Sequence, residues 1–329
     1  MDTRRAFRSD LSLWGQWCRH RHVPAHAAAP TDVAAWIRAL AGIDPSDLKP
    51  RAMATIEHYL VHVGWAYRMA GLSDPTADPL VRLERKAARN HLGVRQRQAR
   101  AIRFKGDIAD LDSPASGVCL AHLLKACRRD ELGLRDAALL RIAYDTAARR
   151  SELVAIEVRH VDGPDGEGAG ILHIPSSKTD RKQAGAEAYL SPATMAAIAR
   201  WRQAAGIEKG PLLRRVTTHF DGSIDRIGSE RLHPNSITLI YKRLIRCAWE
   251  RGLLGDMSED GLERWLRAVS SHSIRVGVAQ DNFAAGEGLP AIMQAYRWRD
   301  ACTVMRYGSK LAAKSGASAR LAKRFRDNQ

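Results

Sequence analysis

Apolar residues in the first hundred positions recur at helical intervals. Leu11, Trp14 and Trp17 are spaced by three, and Met53, Ile56, Leu60, Val63 and Tyr67 alternate steps of three and four. Each set lines one face of a helix. Between them Pro30-Thr31-Asp32 opens a short helix carrying Trp36 and Leu40, with Thr31 or Asp32 as its cap. Gly71, Pro75 and Pro79 interrupt the pattern, and a further helix is predicted over about 80–91. These stripes read as a helical core.

The pattern changes after the turn-rich stretch at 107–114, so the domain boundary is set near residue 105. A helix is predicted from Ser113-Pro114, and 134–146 is apolar enough to be a buried helix. Residues 154–161 alternate like a strand and end in the loop Asp162-Gly163-Pro164-Asp165-Gly166. Residues 171–174 and 187–190 read as two strands around a polar connector; helix returns at 191–202 and 235–251. The expectation is two domains, 1–105 and 106–329, mainly α, with one small sheet at the edge of the second. No internal repeat interrupts this plan.

Charge narrows the partner. The chain of 329 residues carries 52 Lys and Arg against 36 Asp and Glu, a net +16, which points to a polyanion such as DNA or RNA. Between residues 82 and 105 the cations Arg82, Arg85, Lys86, Arg89, Arg95, Arg97, Arg100, Arg103 and Lys105 face the single acid Glu84. A solvated helix face mixes signs, so this run suits a linker crossing a phosphate backbone. No apolar run reaches a membrane-spanning length and no signal peptide opens the chain. The five cysteines are scattered and none forms a CxxC pair, so a reducing, cytoplasmic setting is expected, without disulfides, metal or cofactor.

The candidate chemistry is a phosphate clamp around a phenol. His272 and Arg275 project from one face at the start of a helix, where the macrodipole also favours anions. Arg149 follows a short polar break that puts it near a helix N-terminus, and Glu152 three residues on can hold its guanidinium. Lys178 lies in the connector of the predicted hairpin, from which it can reach a site as a proton donor. Trp298 offers an indole N–H, a donor only. Tyr307 supplies a hydroxyl whose pKa of about 10 makes it a poor nucleophile until cations stabilise its anion.

Taken in order, Thr146 to Leu153, Lys178, His272-Ser273-Ile274-Arg275, Trp298 and Tyr307 resemble the tyrosine recombinase (phage integrase) family, over nearly the whole chain. The resemblance implies an N-terminal helical core-binding (SAM-like) domain and an α-rich catalytic domain with a small antiparallel sheet, closing as a C-shaped clamp on DNA. It implies site-specific strand cleavage and rejoining through a 3′-phosphotyrosyl intermediate and a Holliday junction, for DNA integration, excision or resolution. The catalytic set is then Arg149, Glu152, Lys178, His272, Arg275, Trp298 and Tyr307. DNA contacts are expected from Arg82, Arg85, Lys86 and Arg89, and from the helix bearing Asn235, Arg243 and Arg246. The partners implied are double-stranded DNA with inverted-repeat sites and three further copies of the chain, assembled through a C-terminal helix with Leu321 and Phe325. Ala147 and Ala148 replace the family's commonest Gly-Leu, a change expected to be tolerated because neither contributes chemistry. Asn235 stands where some members present an arginine to a base, which favours adenine over guanine. A hairpin-forming telomere resolvase, a relaxing topoisomerase and a DNA-binding protein without catalysis remain as alternatives.

Overall fold

A computed structural model describes residues 2–93, 98–106, 113–174, 185–315 and 317–326. The chain divides into two compact units, residues 1–98 and 99–329. Each has its own hydrophobic core, as a chain of this length allows.

The first unit is four helices: α1 (Asp2–His20), α2 (Pro30–Ala41), α3 (Met53–Met69) and α4 (Pro79–Leu92). Trp14 and Trp17 of α1 meet Val33, Trp36, Ile37 and Leu40 of α2 and Ile56, Leu60, Val63 and Tyr67 of α3, all buried. Gly42 closes α2 in the left-handed region (φ 69°), freely open to a residue without Cβ. Asp78 starts α4 by accepting from the Leu80 N–H at 2.8 Å, with Pro79 in the first turn. Only Val81 and Ala88 of α4 are buried; its open faces carry mostly basic residues, with Leu80 and Leu83 also exposed.

The second unit opens with an extended segment, residues 99–106, that belongs to its core. Ile102 is fully buried and its N–H donates to the Ser273 carbonyl at 2.9 Å. Arg103 is 2% exposed and donates to Asp281 at 2.6 Å, whose other oxygen accepts from the Phe104 N–H and the Tyr144 hydroxyl, both at 2.8 Å. The second compact unit therefore begins at Ala99. Two cations of the basic run are engaged within it. Arg103 is a core ion pair, and Arg100 stacks on Trp265 at 3.8 Å.

Helices α5 (Leu120–Ala126), α6 (Glu131–Thr146) and α7 (Arg150–Ala155) come next. The helix expected from Ser113-Pro114 begins only at Leu120, and the strand expected at 154–161 is reduced to β1 (Val161–Asp162), because α7 continues through Ala155. The strands β2 (Gly170–Ile174) and β3 (Ala186–Leu190) complete an antiparallel sheet of order β1-β2-β3. Register pairs Leu172 with Ala188 and Ile171 with Tyr189; Leu172 and Ala188 face the core while Ile171 and Tyr189 are exposed. After α8 (Pro192–Ala204) comes a second two-stranded hairpin, β4 (Arg214–Thr218) and β5 (Ile224–Arg231), absent from the sequence-based plan.

The unit ends with α9 (Ser236–Glu250), α10 (Glu259–Ala268), α11 (Ser273–Ala285), α12 (Leu289–Ala295), α13 (Ala301–Ser315) and α14 (Ala317–Arg326). Leu139, Leu140, Trp201, Tyr241 and Ile245 fill its centre, with the Trp201 indole donating to the Leu212 carbonyl at 2.8 Å. α11 sits directly on residues 99–106: a Cβ on Gly277 would lie 1.9 Å from the Ile102 carbonyl oxygen, so only glycine permits that approach. No helix among the described residues is long and apolar enough to cross a membrane.

Candidate active site

The site is assembled at helix ends of the second unit. α6 ends at Thr146, whose hydroxyl donates back to the Ile142 carbonyl at 2.7 Å and accepts from the Ala148 N–H at 3.2 Å. Ala147 then takes a left-handed conformation (φ 43°), which costs an L-residue roughly 1–2 kcal/mol. The turn aims the last carbonyls of α6 at two guanidiniums. Arg275 donates to the Ala147 carbonyl, and Arg297 donates to the Thr146 carbonyl at 3.2 Å. Cations at the carbonyl end of a helix are favoured by its dipole. The Ala147 backbone is thus part of the site through its carbonyl, a group that any residue at this position carries.

Glu152 is the hub of the next turn. Its carboxylate accepts from the Arg149 backbone N–H at 2.9 Å, capping α7, and from the Arg149 guanidinium at 2.8 Å. A carboxylate oxygen also stands 4.0 Å from Arg297. Glu152 is buried whereas Arg149 is partly open to solvent, so the acid serves to hold the base in place.

α11 delivers the other pair from its first turn. His272 precedes the helix, with its N–H donating to the Ser270 hydroxyl at 3.1 Å. The residue is exposed, yet neighbouring protein partly desolvates its ring. That desolvation, then the charges of Arg275, Arg150 and Arg149, lower its pKa and favour the neutral imidazole. Arg275 is buried, and burial followed by the Arg149 charge pulls its pKa down to about 10, still protonated at neutral pH; Tyr307 and Glu152 act in the opposite direction.

The Arg275 guanidinium lies 4.8 Å from the centre of the Trp298 ring, and the edge-on contact from Trp298 to Tyr307 spans 6.0 Å between centroids. The Tyr307 carbonyl accepts from the Gln280 side chain of α11 at 3.1 Å, which ties α13 to α11. Arg149, Glu152, His272, Arg275, Trp298 and Tyr307 therefore form one cluster. Lys178 lies outside the described residues.

Arg297 is the residue that sequence reasoning missed. It occupies a left-handed position (φ 56°) and is largely buried, and burial lowers its pKa. Its Nη1 and the Trp298 Nε1 are buried donors with no acceptor among the described residues. Leaving such groups unsatisfied costs free energy, so both have a donor capacity that a phosphate oxygen can meet. The only signal available was its place next to Trp298.

The predicted DNA-contacting residues separate into two sets. On α4, Arg82 and Lys86 are exposed without an ion pair among the described residues, whereas Arg85 (3.9 Å) and Arg89 share Glu57. On α9, Asn235 accepts from Arg150 at 3.2 Å, and Arg246 is exposed 3.7 Å from Glu263. Arg243 turns inward onto Asp136, a fully buried carboxylate also held by Arg135 at 2.7 Å. The outward stripe of α9 is Asn235, Leu239, Lys242 and Arg246, at steps of four, three and four.

Comparisons with known proteins bear on the family and the fold. Residues 119–314 match the family described as the phage integrase family. The recombinase cre of Escherichia phage P1 is 29% identical over 312 residues, covering 94% of this chain and 84% of that protein. An integrase/recombinase xerD homolog of Selenomonas ruminantium is 27% identical over 316 residues, covering 93% and 81%. Among solved structures, the Tn1549 transposon integrase in complex with transposon right end DNA aligns with a TM-score of 0.54 at 12% identity, over 97% of this chain and 99% of that one. XerH site-specific recombinase bound to palindromic difH substrate aligns at 0.53 and 14%, over 88% and 72%. At these identities the two structures support the fold.

Proposed function

The chain belongs to the phage integrase family, and from that premise we propose that it is a site-specific recombinase that cleaves and rejoins double-stranded DNA at the clustered residues. The observation that carries this reading is the unbroken line from Arg275, held by the Ala147 carbonyl, across Trp298 to Tyr307.

Tyr307 Oη attacks the phosphorus, the bond to the 5′-oxygen breaks, and the strand is held as a 3′-phosphotyrosyl ester. Arg149 and Arg275 bind the non-bridging oxygens and neutralise the charge that grows in the phosphorane; preorganised donors of this kind are worth about 3–4 kcal/mol each. The Trp298 Nε1, without an acceptor among the described residues, donates a further hydrogen bond. His272, neutral by its surroundings, accepts the phenolic proton or bonds the phosphate. Lys178 protonates the departing 5′-oxygen. Attack by a partner strand's 5′-hydroxyl reverses each step, so the ester stores the bond energy and no nucleotide is consumed.

The wider assembly follows from the same reading. Arg82, Arg85, Lys86 and Arg89 contact phosphates, and the α9 face bearing Asn235, Arg243 and Arg246 enters the major groove, with Arg243 exchanging part of its pairing with Asp136 for DNA. Leu321 and Phe325 of α14 are exposed and four apart, as suits docking onto a neighbouring copy in a tetramer on two inverted-repeat sites that exchange strands through a Holliday junction.

A duplex nicked next to the cleavage site tests this, because the short cut fragment diffuses away and traps the covalent complex. The wild type should accumulate a denaturation-resistant adduct, and Tyr307→Phe should bind equally and form none. An adduct persisting in Tyr307→Phe overturns the nucleophile, and reversible binding alone by the wild type favours a binder without catalysis.

A further inference from the structure

Away from the active site, the first unit holds a second convergence of polar side chains. His58 and His62 lie four residues apart on one face of α3, and Asp10 reaches them from α1. Both imidazole Nδ1 atoms address the same oxygen, Asp10 Oδ2, at 2.9 Å from His58 and 2.7 Å from His62. The two rings are 4.3 Å apart at 64°, and Phe7 packs edge-on against His62 at 5.3 Å. Asp10 and His62 are buried, at 8% and 6% exposure, while the His58 side chain is 53% exposed.

The electrostatics of this group are unbalanced. A buried carboxylate needs a counter-charge. The chain has 52 Lys and Arg, yet among the described residues no Lys or Arg pairs with Asp10; its ionic partners are the two histidines. A divalent cation accepting one lone pair from each of the three residues supplies the carboxylate with a full counter-charge and replaces the His62–Asp10 hydrogen bond.

We propose that Asp10 Oδ2, His58 Nδ1 and His62 Nδ1 bind one divalent transition-metal ion of the zinc class, which fastens α1 to α3. Imidazole and carboxylate ligands suit zinc and exclude magnesium or calcium as the preferred ion. Paired histidines four apart on a helix recur in zinc sites because that spacing aims both rings at one point. The three ligand atoms already lie within 4.8 Å of one another. Zinc bonds of about 2.0–2.1 Å set tetrahedral ligand separations near about 3.3 Å, so the cluster opens by a few tenths of an ångström, which the exposed His58 can supply. The same exposure provides an entry path and room for a water as fourth ligand. The site is remote in role from strand cleavage, and its function is structural.

The test is metal binding by the full-length chain. Metal-stripped protein is titrated with Zn²⁺ against a chromophoric chelator, and with Co²⁺ while its visible absorption is followed. One equivalent should bind, with Co²⁺ giving the intense band of a tetrahedral centre. His58→Ala, at an exposed position that leaves the core intact, should weaken Zn²⁺ binding at least tenfold while keeping the wild-type circular dichroism. His20→Ala/His22→Ala, which removes other surface histidines, should bind as the wild type does. Failure to saturate at one equivalent, or wild-type affinity in His58→Ala, overturns the proposal and leaves a hydrogen-bonded triad.

Discussion

Replacing Glu152 by Gln tests whether the active site is positioned by charge. The substitution keeps size and a carbonyl that can still accept from the Arg149 N–H, but removes the carboxylate charge that meets Arg149 and stands 4.0 Å from Arg297. Two unit charges 4 Å apart at an effective dielectric of 20 interact by about 4 kcal/mol, and breaking a buried pair costs about 3–5 kcal/mol. Arg149 is 36% exposed, so solvent screens part of this, and the retained hydrogen bond offsets more. About 1–3 kcal/mol remains. As stability this lowers the Tm of the second unit by roughly 2–12 °C, at about 2–4 °C per kcal/mol. As lost orientation of Arg149 it slows single-turnover cleavage about 10–100-fold, at 1.4 kcal/mol per tenfold. DNA affinity should stay constant or rise, because a negative charge beside the phosphate is gone. Single-turnover cleavage of the nicked duplex, a binding titration and a melt read the three quantities separately. Glu152→Asp, which restores the charge without the reach, should fall between. Cleavage within twofold of the wild type alongside a lowered Tm would refute the reasoning and make Glu152 a purely structural acid.

Two further outcomes follow from the same geometry. His272 has a lowered folded pKa, so its contribution to stability is complete above the ordinary value of about 6.5 and is lost as pH falls through the folded value. The acid limb of kcat/KM, which reports the free enzyme, should therefore have its midpoint below 6.5 and be missing in His272→Gln; a limb at or above 6.5 contradicts the neutral imidazole. Arg297→Gly removes a guanidinium but relieves a left-handed backbone, so the Tm should move by less than about 3 °C while cleavage slows about tenfold. Unchanged cleavage would remove Arg297 from the reaction.

Much of the fold could be read because its helices bury one face. The stripes of α1 and α3 announce themselves by period, and β2 and β3 by alternation at Leu172 and Leu190. The hairpin β4–β5 gave no such signal: its strands are dominated by Arg, Thr, Asp and Ser, and only Val216 and Ile227 pack partly against the core. Residues 154–161 alternate, yet the cap that Glu152 provides and the burial of Leu153 and Val154 keep the chain helical through Ala155. In the active site, the order of the matching residues was legible through family resemblance. The backbone's share was not, because a carbonyl such as that of Ala147 is present at every position and acquires its role only from the turn that aims it. The partner of Arg243 was hidden for a related reason: helical position shows that a cation lies near a surface, but not that Asp136, more than a hundred residues away, pairs with it.

The clasp of residues 99–106 on α11 has a practical consequence for redesign. Its amides and side chains engage Ser273 and Asp281, and Gly277 leaves no clearance beneath Ile102. An inserted residue here would shift that register and drag on the helix turn that presents Arg275. A longer tether between the two halves must be spliced in upstream of Ala99, where the chain is not yet part of the cutting machinery.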